Sequence, residues 1–285
     1  MAETLQATEG DMRIEDIPYR RRPDGGEPLL ARLYRPARGT GPFPAVVEVH
    51  GGAWTGSDRL NNAAIATEFA REGIVTLSLD FRMPPEAPYP ASLADINYGV
   101  RWMKAHAAAF GCRADKVGLF GTSSGGHQVL LAALRPRDPR YAALTLEEAP
   151  DVDAGVAFVI SGWGVLDPLL RYRLARERGD AKMIASHDAF WRTEAAMEEG
   201  TPAAVLERGE AQAVPPALVF QGDADEWVPN EAAERLARAW RQAGGQMELA
   251  LFPGEGHTFM RERPEAPNSL QAMAMVKAFI HAHGA

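Results

Sequence analysis

Short apolar runs alternate along the chain with longer segments in which apolar residues recur every three or four positions. Runs of this length, bounded by Gly, Pro and polar residues, are typical of buried strands. They occupy residues 13–19, 29–34, 45–49, 74–79, 117–120, 156–160, 217–221 and 247–252. Since strand and helix patterns alternate from about residue 29 onward, the chain is predicted to form an α/β fold. We expect a mostly parallel sheet of about eight strands with helices on both faces, its first two strands forming an antiparallel edge hairpin.

The helical period is clearest between the fourth and fifth runs. One apolar face is formed there by Leu93, Ile96, Val100, Met103, Ala107 and Phe110. A second helix is predicted around residues 233–240, where Gly244-Gly245 provides the C-terminal stop. A third is predicted over residues 270–280. These helices would connect successive parallel strands.

The segment 161–214 interrupts this alternation because it is far longer than a usual connection between strands. It is rich in Arg, Glu and Ala, and it carries the aromatic residues Trp163, Tyr172, Phe190 and Trp191. We interpret it as a small lid insertion with helices of its own, within a single domain that spans residues 1–285.

Composition limits the classes of partner. Of the 285 residues, 46% are apolar and 24% are charged, the balance of an ordinary globular protein, and the formal net charge of -8 disfavours a nucleic-acid partner. The single cysteine, Cys112, excludes a disulfide framework and a multi-cysteine metal site, so neither metal nor cofactor is predicted. The polar first residues and the lack of an apolar stretch of ~20 residues predict a cytoplasmic protein without signal peptide or membrane span. The oligomeric state is left open.

The pattern G-x-S-x-G occurs at residues 121–125, Gly-Thr-Ser-Ser-Gly. It follows the strand-like KVGLF and precedes the apolar helical segment HQVLLAAL, which is where a nucleophile elbow must lie. The glycines allow close approach around a strained turn, and the helix N-terminus beside Ser123 favours developing negative charge. Ser123 is therefore predicted to be a nucleophile. The alternative is a plain glycine-rich turn between strand and helix.

A second glycine-rich turn, His50-Gly51-Gly52-Ala53-Trp54, follows the strand AVVEV. Acyl transfer needs N–H donors directed at the oxyanion that forms, and such a turn exposes backbone amides. Gly52 and Ala53, together with Ser124 after the nucleophile, are predicted to form this oxyanion hole. His50 is expected to brace the loop rather than transfer protons. An ordinary strand-to-helix turn remains the alternative.

Where a nucleophile elbow is present, the acid and then the histidine follow the serine in chain order. His257 lies in a loop directly after a predicted strand, whereas His281 and His283 lie in the C-terminal tail. His257 is therefore the predicted base. The loop after residues 217–221 offers three carboxylates as the acid, those of Asp223, Asp225 and Glu226.

These motifs together resemble those of bacterial α/β-hydrolase carboxylesterases, of the hormone-sensitive-lipase-like and feruloyl-esterase-like groups. The resemblance extends from about residue 45 to the C-terminus and includes FRMPPEAPYP at 81–90, the G-x-x-D-x-x-V-P pattern at 222–229 and G-x-x-H at 254–257. It implies that the acid lies three residues before Val228, at Asp225, while Asp223 shapes the loop. The sequence departs from the pattern of these esterases at two places. The loop reads H-G-G-A-W in place of H-G-G-G, a form that also resembles kynurenine formamidases, and the elbow reads G-T-S-S-G in place of G-D-S-A-G.

The resulting expectation is a serine hydrolase that cleaves a small-molecule ester through an acyl-enzyme. Amide or formamide hydrolysis on the same Ser-His-Asp set is the first alternative, and a non-catalytic binding protein on this scaffold is the second. Trp54, Trp163 and Trp191 are predicted to line the substrate pocket, and His187 is a further candidate for substrate contact.

Overall fold

A nine-stranded sheet organises the residues that this computed structural model describes, namely 6–9, 11–22 and 25–285. Its strands are β1 (Gln6–Glu9), β2 (Met12–Arg20), β3 (Leu29–Pro36), β4 (Phe43–Val49), β5 (Val75–Leu79), β6 (Cys112–Thr122), β7 (Val159–Gly162), β8 (Ala217–Gly222) and β9 (Met247–Phe252). Their order in the sheet is β1-β2-β3-β5-β4-β6-β7-β8-β9. The pairs β1–β2, β2–β3 and β3–β5 are antiparallel, and the remaining neighbours are parallel.

The eight predicted strands are all present, and the α/β prediction is confirmed. The ninth strand, β1, escaped prediction because its sequence QATE has no apolar run, and it joins the sheet by backbone pairing with β2. β7 is displaced from the predicted 156–160 and ends at Gly162, since the small residues Ser161 and Gly162 continue the pairing with β8.

Ten helices accompany the sheet in the described part of the chain. They are α1 (Ala63–Arg71), α2 (Ala91–His106), α3 (Ser124–Leu134), α4 (Pro168–Arg178), α5 (Ala181–Trp191), α6 (Glu194–Glu199), α7 (Pro202–Glu207), α8 (Asn230–Gln242), α9 (Phe259–Glu262) and α10 (Pro267–Gly284). A 3₁₀ turn, Ala107–Phe110, extends α2. The three helices predicted from apolar periodicity correspond to α2, α8 and α10, and the helical segment predicted after Ser123 corresponds to α3.

Two hydrophobic clusters cover the two faces of the sheet. Val47 and Leu119 point into the cluster that contains α2, α3 and α8, whereas Val46 and Phe120 point into the one that contains α1 and α10. Because successive strand residues point to opposite faces, neighbouring residues of one strand enter different clusters. Continuous apolar strands therefore mark a sheet buried on both sides, as the sequence predicted.

Helices α4 to α7 make up most of the segment 161–214, and this segment is bound firmly to the body. The Tyr89 hydroxyl donates to the Glu199 carboxylate over 2.7 Å, and Arg135 also donates to Glu199. The N–H of Gln212 donates to the carbonyl of Leu134 at the end of α3, over 2.7 Å. Among the described helices, none is both long enough and apolar enough to span a membrane.

Candidate active site

Ser123 lies at the sharp turn between β6 and α3. Its φ of 53° and ψ of -122° lie in a region that is strained for a residue with a side chain. The turn leaves no room for side chains on the flanking glycines, since a Cβ on Gly121 would lie 2.6 Å from the Gly125 carbonyl oxygen. A Cβ on Gly125 would lie 2.1 Å from the carbonyl oxygen of Val49. The two glycines of the motif thus allow the turn that presents Ser123 at the carboxyl end of β6.

His257 and Asp225 form a hydrogen-bonded chain with Ser123. The Ser123 Oγ lies 2.9 Å from the Nε2 of His257, and the Nδ1 of His257 lies 2.7 Å from the Oδ2 of Asp225. A carboxylate only accepts, so Nδ1 carries the proton of the neutral ring and Nε2 presents a lone pair to the serine hydroxyl. The other carboxylate oxygen of Asp225 accepts from the N–H groups of Trp227 and Val228, at 2.8 and 3.1 Å. The arrangement can take a proton from Ser123.

The neighbouring acids have other partners. The Asp223 carboxylate accepts from the N–H of Gly254 over 2.7 Å, which joins the loop after β8 to the loop that carries His257. Glu226 is exposed and lies 3.6 Å from Arg178. Of the three carboxylates in this loop, Asp225 is the one hydrogen-bonded to His257, the position that the family resemblance implied.

The loop 50–54 runs directly past the nucleophile. A Cβ on Gly51 would lie 3.1 Å from the Cβ of Ser123. Gly52, Ala53 and Trp54 have φ values of 111°, 52° and 62°, so three successive residues adopt left-handed backbone. The N–H groups of Gly52, Ala53 and Ser124 donate no hydrogen bond to any described residue. These three donors are therefore available to a ligand beside Ser123, as the oxyanion-hole hypothesis requires.

His50 contributes to this loop by packing. Its Nδ1 lies 2.7 Å from the carbonyl oxygen of Gly51, and its ring stacks on Phe81 with 4.2 Å between ring centroids. Burial lowers the pKa of His50 to about 4, so the ring is neutral near pH 7. His50 braces the loop after β4.

The three tryptophans predicted to line the pocket are all buried. The Trp54 ring stacks on Phe190 with 5.4 Å between centroids and meets Trp191 edge-on. Trp163 packs against Phe220 and Phe259, in the cluster on the other face of the sheet, and is 0% exposed. The structure thus separates Trp163 from the other two and gives it a packing role, while its contact with a substrate stays a prediction.

Arg171 of α4 is a residue near the site that the sequence did not reveal. Its guanidinium carbon lies 5.8 Å from the centre of the Trp54 ring, and the residue is only 4% exposed. In the sequence it is one of several arginines in the charged stretch RYRLARER at 171–178. The sequence of α4 did not indicate which arginine is buried, because this helix is polar on most sides. The burial of Arg171 depends on contact with the loop 50–54.

The described residues meet neither the needs of a metal site nor those of a reactive thiol. Within the ranges 6–9, 11–22 and 25–285, no group of three or more His, Cys, Asp or Glu side chains could hold a metal ion. Burial raises the pKa of the Cys112 thiol to about 12, which leaves it protonated and unreactive at neutral pH.

A sheet of this strand order, with a serine on the β6–α3 turn and an acid and a histidine on later loops, defines an α/β-hydrolase fold. The chain belongs to the BD-FAE family, whose model matches residues 32–240. The model of the dienelactone hydrolase family also matches residues 200–282.

Sequence relatives and solved structures agree with this fold. The chain is 32% identical to esterase LipC of Mycobacterium tuberculosis over 261 residues, which cover 88% of this chain and 62% of LipC. It is 28% identical to the probable carboxylic ester hydrolase LipM of the same organism, over 77% of this chain and 50% of LipM. The chain thus spans between 50% and 62% of the length of these relatives. Esterase B of Lactobacillus rhamnosis superposes with a TM-score of 0.78 at 22% identity, covering 96% of this chain and 86% of esterase B.

Proposed function

We propose that this chain is a serine carboxylesterase that hydrolyses small-molecule esters through an acyl-enzyme. The observation that carries the proposal is the continuous hydrogen-bonded chain from Ser123 through His257 to Asp225, with distances of 2.9 and 2.7 Å. Nucleophile, base and orienting acid are the parts that acyl transfer requires. The relatives LipC, named an esterase, and LipM, named a probable carboxylic ester hydrolase, support cleavage of the same kind of bond.

The reaction follows from the positions of these groups. Ser123 Oγ attacks the ester carbon while its proton passes to the Nε2 of His257, whose imidazolium is stabilised by Asp225. The carbonyl oxygen becomes an oxyanion, which the N–H groups of Gly52, Ala53 and Ser124 stabilise. The C–O bond to the alcohol then breaks, and His257 gives its proton to the departing oxygen. Water repeats the attack with His257 as base, which releases the acid and restores Ser123.

The segment 161–214 is proposed to act as the lid of this site. It leaves β7 next to β6 and returns before β8, so its helices begin at the carboxyl end of the sheet, on the side of Ser123. Phe190 of α5 stacks on Trp54 of the loop 50–54. This contact places the segment 161–214 next to the proposed catalytic residues. Because Glu199 and Gln212 bind it to the body, we propose a lid that shapes the pocket as a fixed wall.

A fluorophosphonate probe tests the nucleophile directly, because it phosphonylates an activated serine without requiring the right substrate. We expect one adduct, on Ser123, and loss of both the adduct and ester turnover in Ser123→Ala. Ser186→Ala, a serine of α5 away from the Ser-His-Asp chain, serves as the matched control and should keep both. An adduct on Ser124, or full turnover in Ser123→Ala, would remove the assignment.

A substrate comparison separates esterase from amidase and from binding protein. Ethyl butyrate and an N-formyl aryl amide are given to the same preparation, and the released acid is followed by NMR. Faster turnover of the ester supports the proposal, whereas faster turnover of the formamide favours the alternative raised by the H-G-G-A-W loop. No adduct and no turnover of either compound would favour a non-catalytic binding protein.

A further inference from the structure

Arg171 is a buried cation with unused hydrogen-bond donors. The residue is 4% exposed, and its Nε and Nη1 have no hydrogen-bond partner in the part of the chain that the structure describes. Removing a charged group from water is costly unless the group is paired and hydrogen-bonded, and each buried donor without a partner adds to that cost. The buried donors of Arg171 thus lack the partner that would offset this cost.

The groups around Arg171 do not neutralise it. Burial lowers the pKa of Arg171 to about 10, with Asp225 and Asp180 opposing the shift, so it stays charged near pH 7. Asp225 is already hydrogen-bonded to His257 and to two backbone N–H groups, and Asp180 caps α5 by accepting from the N–H of Met183.

Two histidines, His127 and His187, lie close enough to feel the charge of Arg171, and both are neutral. Burial lowers the pKa of His127 and of His187 to about 4. The His127 Nε2 donates to the carbonyl of Gly200, and the His187 Nδ1 donates to the carbonyl of Met183, each over 2.8 Å. The remaining nitrogens are acceptors, and neither is hydrogen-bonded to a described residue. Among the residues that the structure describes, no anion is therefore hydrogen-bonded to the guanidinium.

Trp54 connects this cation to the proposed catalytic residues. Its ring lies against Arg171, and its backbone N–H donates to the hydroxyl of Ser124, the residue after the nucleophile. The indole Nε1 groups of Trp54 and Trp191 are likewise buried without a partner among the described residues. Donors without a partner thus lie together beside the loop 50–54, where the segment 161–214 packs against it.

We propose that Arg171 binds a carboxylate carried by the ester substrate, so that the preferred substrates are acidic esters. This inference rests on the proposed esterase function and specifies its substrate class. A carboxylate supplies the missing counter-charge, and it matches the fork of a guanidinium through two parallel hydrogen bonds. A low-dielectric surrounding strengthens such a pair relative to water.

Three esters that differ by one group test the proposal. Ethyl butyrate is the neutral reference. Monoethyl succinate is ethyl butyrate with a carboxylate in place of the terminal methyl of the acyl part. O-Butyryl glycolate is ethyl butyrate with a carboxylate in place of the terminal methyl of the alcohol part. The two acidic esters thus show on which side of the scissile bond Arg171 lies. We expect the wild-type protein to have a higher kcat/KM for one acidic ester than for ethyl butyrate.

The variant Arg171→Met retains an unbranched, shorter apolar side chain and removes the charge and the donors. It should lower the ratio of kcat/KM for that acidic ester over ethyl butyrate by about 10- to 100-fold, the effect of losing hydrogen bonds to a charged group. Arg171→Lys keeps the charge without the fork and should give an intermediate ratio. Arg173→Met makes the same change at an exposed position of α4 and should leave the ratio unchanged.

A wild-type preference for ethyl butyrate over both acidic esters would overturn the proposal, and it requires no variant. An unchanged ratio in Arg171→Met would also overturn it, with folding checked by thermal melt and the Lys variant used if the Met variant is unfolded. Failure of the esterase function itself looks different, since no ester would then be hydrolysed and no adduct would form on Ser123.

Discussion

The backbone N–H of Trp54 donates a hydrogen bond to the side-chain hydroxyl of Ser124 over 3.1 Å. This bond joins the loop after β4 to the first residue of α3, the two segments that supply the proposed oxyanion donors. Ser124 is also one of the two positions, with Thr122, at which the elbow departs from the G-D-S-A-G pattern. The serine hydroxyl at this position therefore holds the loop 50–54 in register with the nucleophile.

Ser124→Ala should lower kcat by about tenfold with little change in KM, since a misplaced oxyanion donor weakens binding of the transition state more than of the substrate. The measurement is steady-state hydrolysis of ethyl butyrate. Thr55→Val removes a hydroxyl from the segment just after this loop and serves as control, since that hydroxyl makes one long hydrogen bond, of 3.4 Å, to Ser186. A kcat equal to that of the wild type would show that the bond does not position the loop.

Asp225→Asn should lower kcat by about 10³- to 10⁴-fold, because an amide facing His257 favours the wrong imidazole tautomer. Asp223→Asn should have a small effect, since its remaining oxygen can still accept from the N–H of Gly254. Steady-state kinetics of the two variants, each with a thermal melt, provide the comparison. The opposite ranking would mean that Asp223 is the catalytic acid.

Trp163→Ala should destabilise the protein by about 3–5 kcal/mol, the usual cost of removing a large buried aromatic side chain. The indole is 0% exposed and packs on Phe220 and Phe259. Denaturant unfolding measures the loss, and kcat/KM over a series of acyl lengths measures selectivity. A uniform change across the series marks packing, whereas a selective change between short and long acyl chains would place Trp163 at the pocket.

Glu48 should make the protein less stable as the pH rises from about 4.5 to 7. Burial raises the pKa of Glu48 to about 7 from the ordinary 4.5, against a hydrogen bond from Asn62. Between these values the folded state holds a proton that the unfolded state has lost. The free energy of unfolding therefore falls as the pH rises. Glu48→Gln should raise the Tm at pH 8 and have little effect at pH 4. Glu248→Gln, an exposed strand position, is the control, and equal shifts at both pH values would contradict the prediction.

Glu199 should show the opposite dependence. Burial would raise its pKa, but hydrogen bonds from Arg140, Tyr89 and Arg135 lower it to about 2 from the ordinary 4.5. The folded state therefore favours the carboxylate, and this contribution to stability is present above pH 4.5 and is lost as the pH falls toward 2. Glu199→Gln should lower the Tm at pH 7, with the difference from wild type shrinking in acid. Glu198→Gln, an exposed neighbour, should change little, and a constant difference across pH would argue against this role.

The sequence by itself determined the class of fold and indicated Ser123 and His257 for the proposed Ser-His-Asp chain, whereas the choice of Asp225 among three carboxylates came from the family resemblance. Apolar runs mark strands buried on both faces, and the strained turn at Ser123 needs glycines at 121 and 125 because backbone atoms leave no space for Cβ there. Such local requirements are written in short motifs and can be read without coordinates. The polar strand β1 has no comparable local pattern, so its pairing could not be foreseen.

Only the tertiary structure decided which of the remaining side chains face the site. Trp163 and Trp191 look alike in the sequence, but strand pairing directs Trp163 into one hydrophobic cluster while Trp191 packs in the other. Arg171 stands among exposed arginines of the same helix and differs from them because α4 packs it onto Trp54, more than 100 positions earlier in the chain. Burial and electrostatic environment are set by contacts between distant segments, which no local pattern of residues encodes.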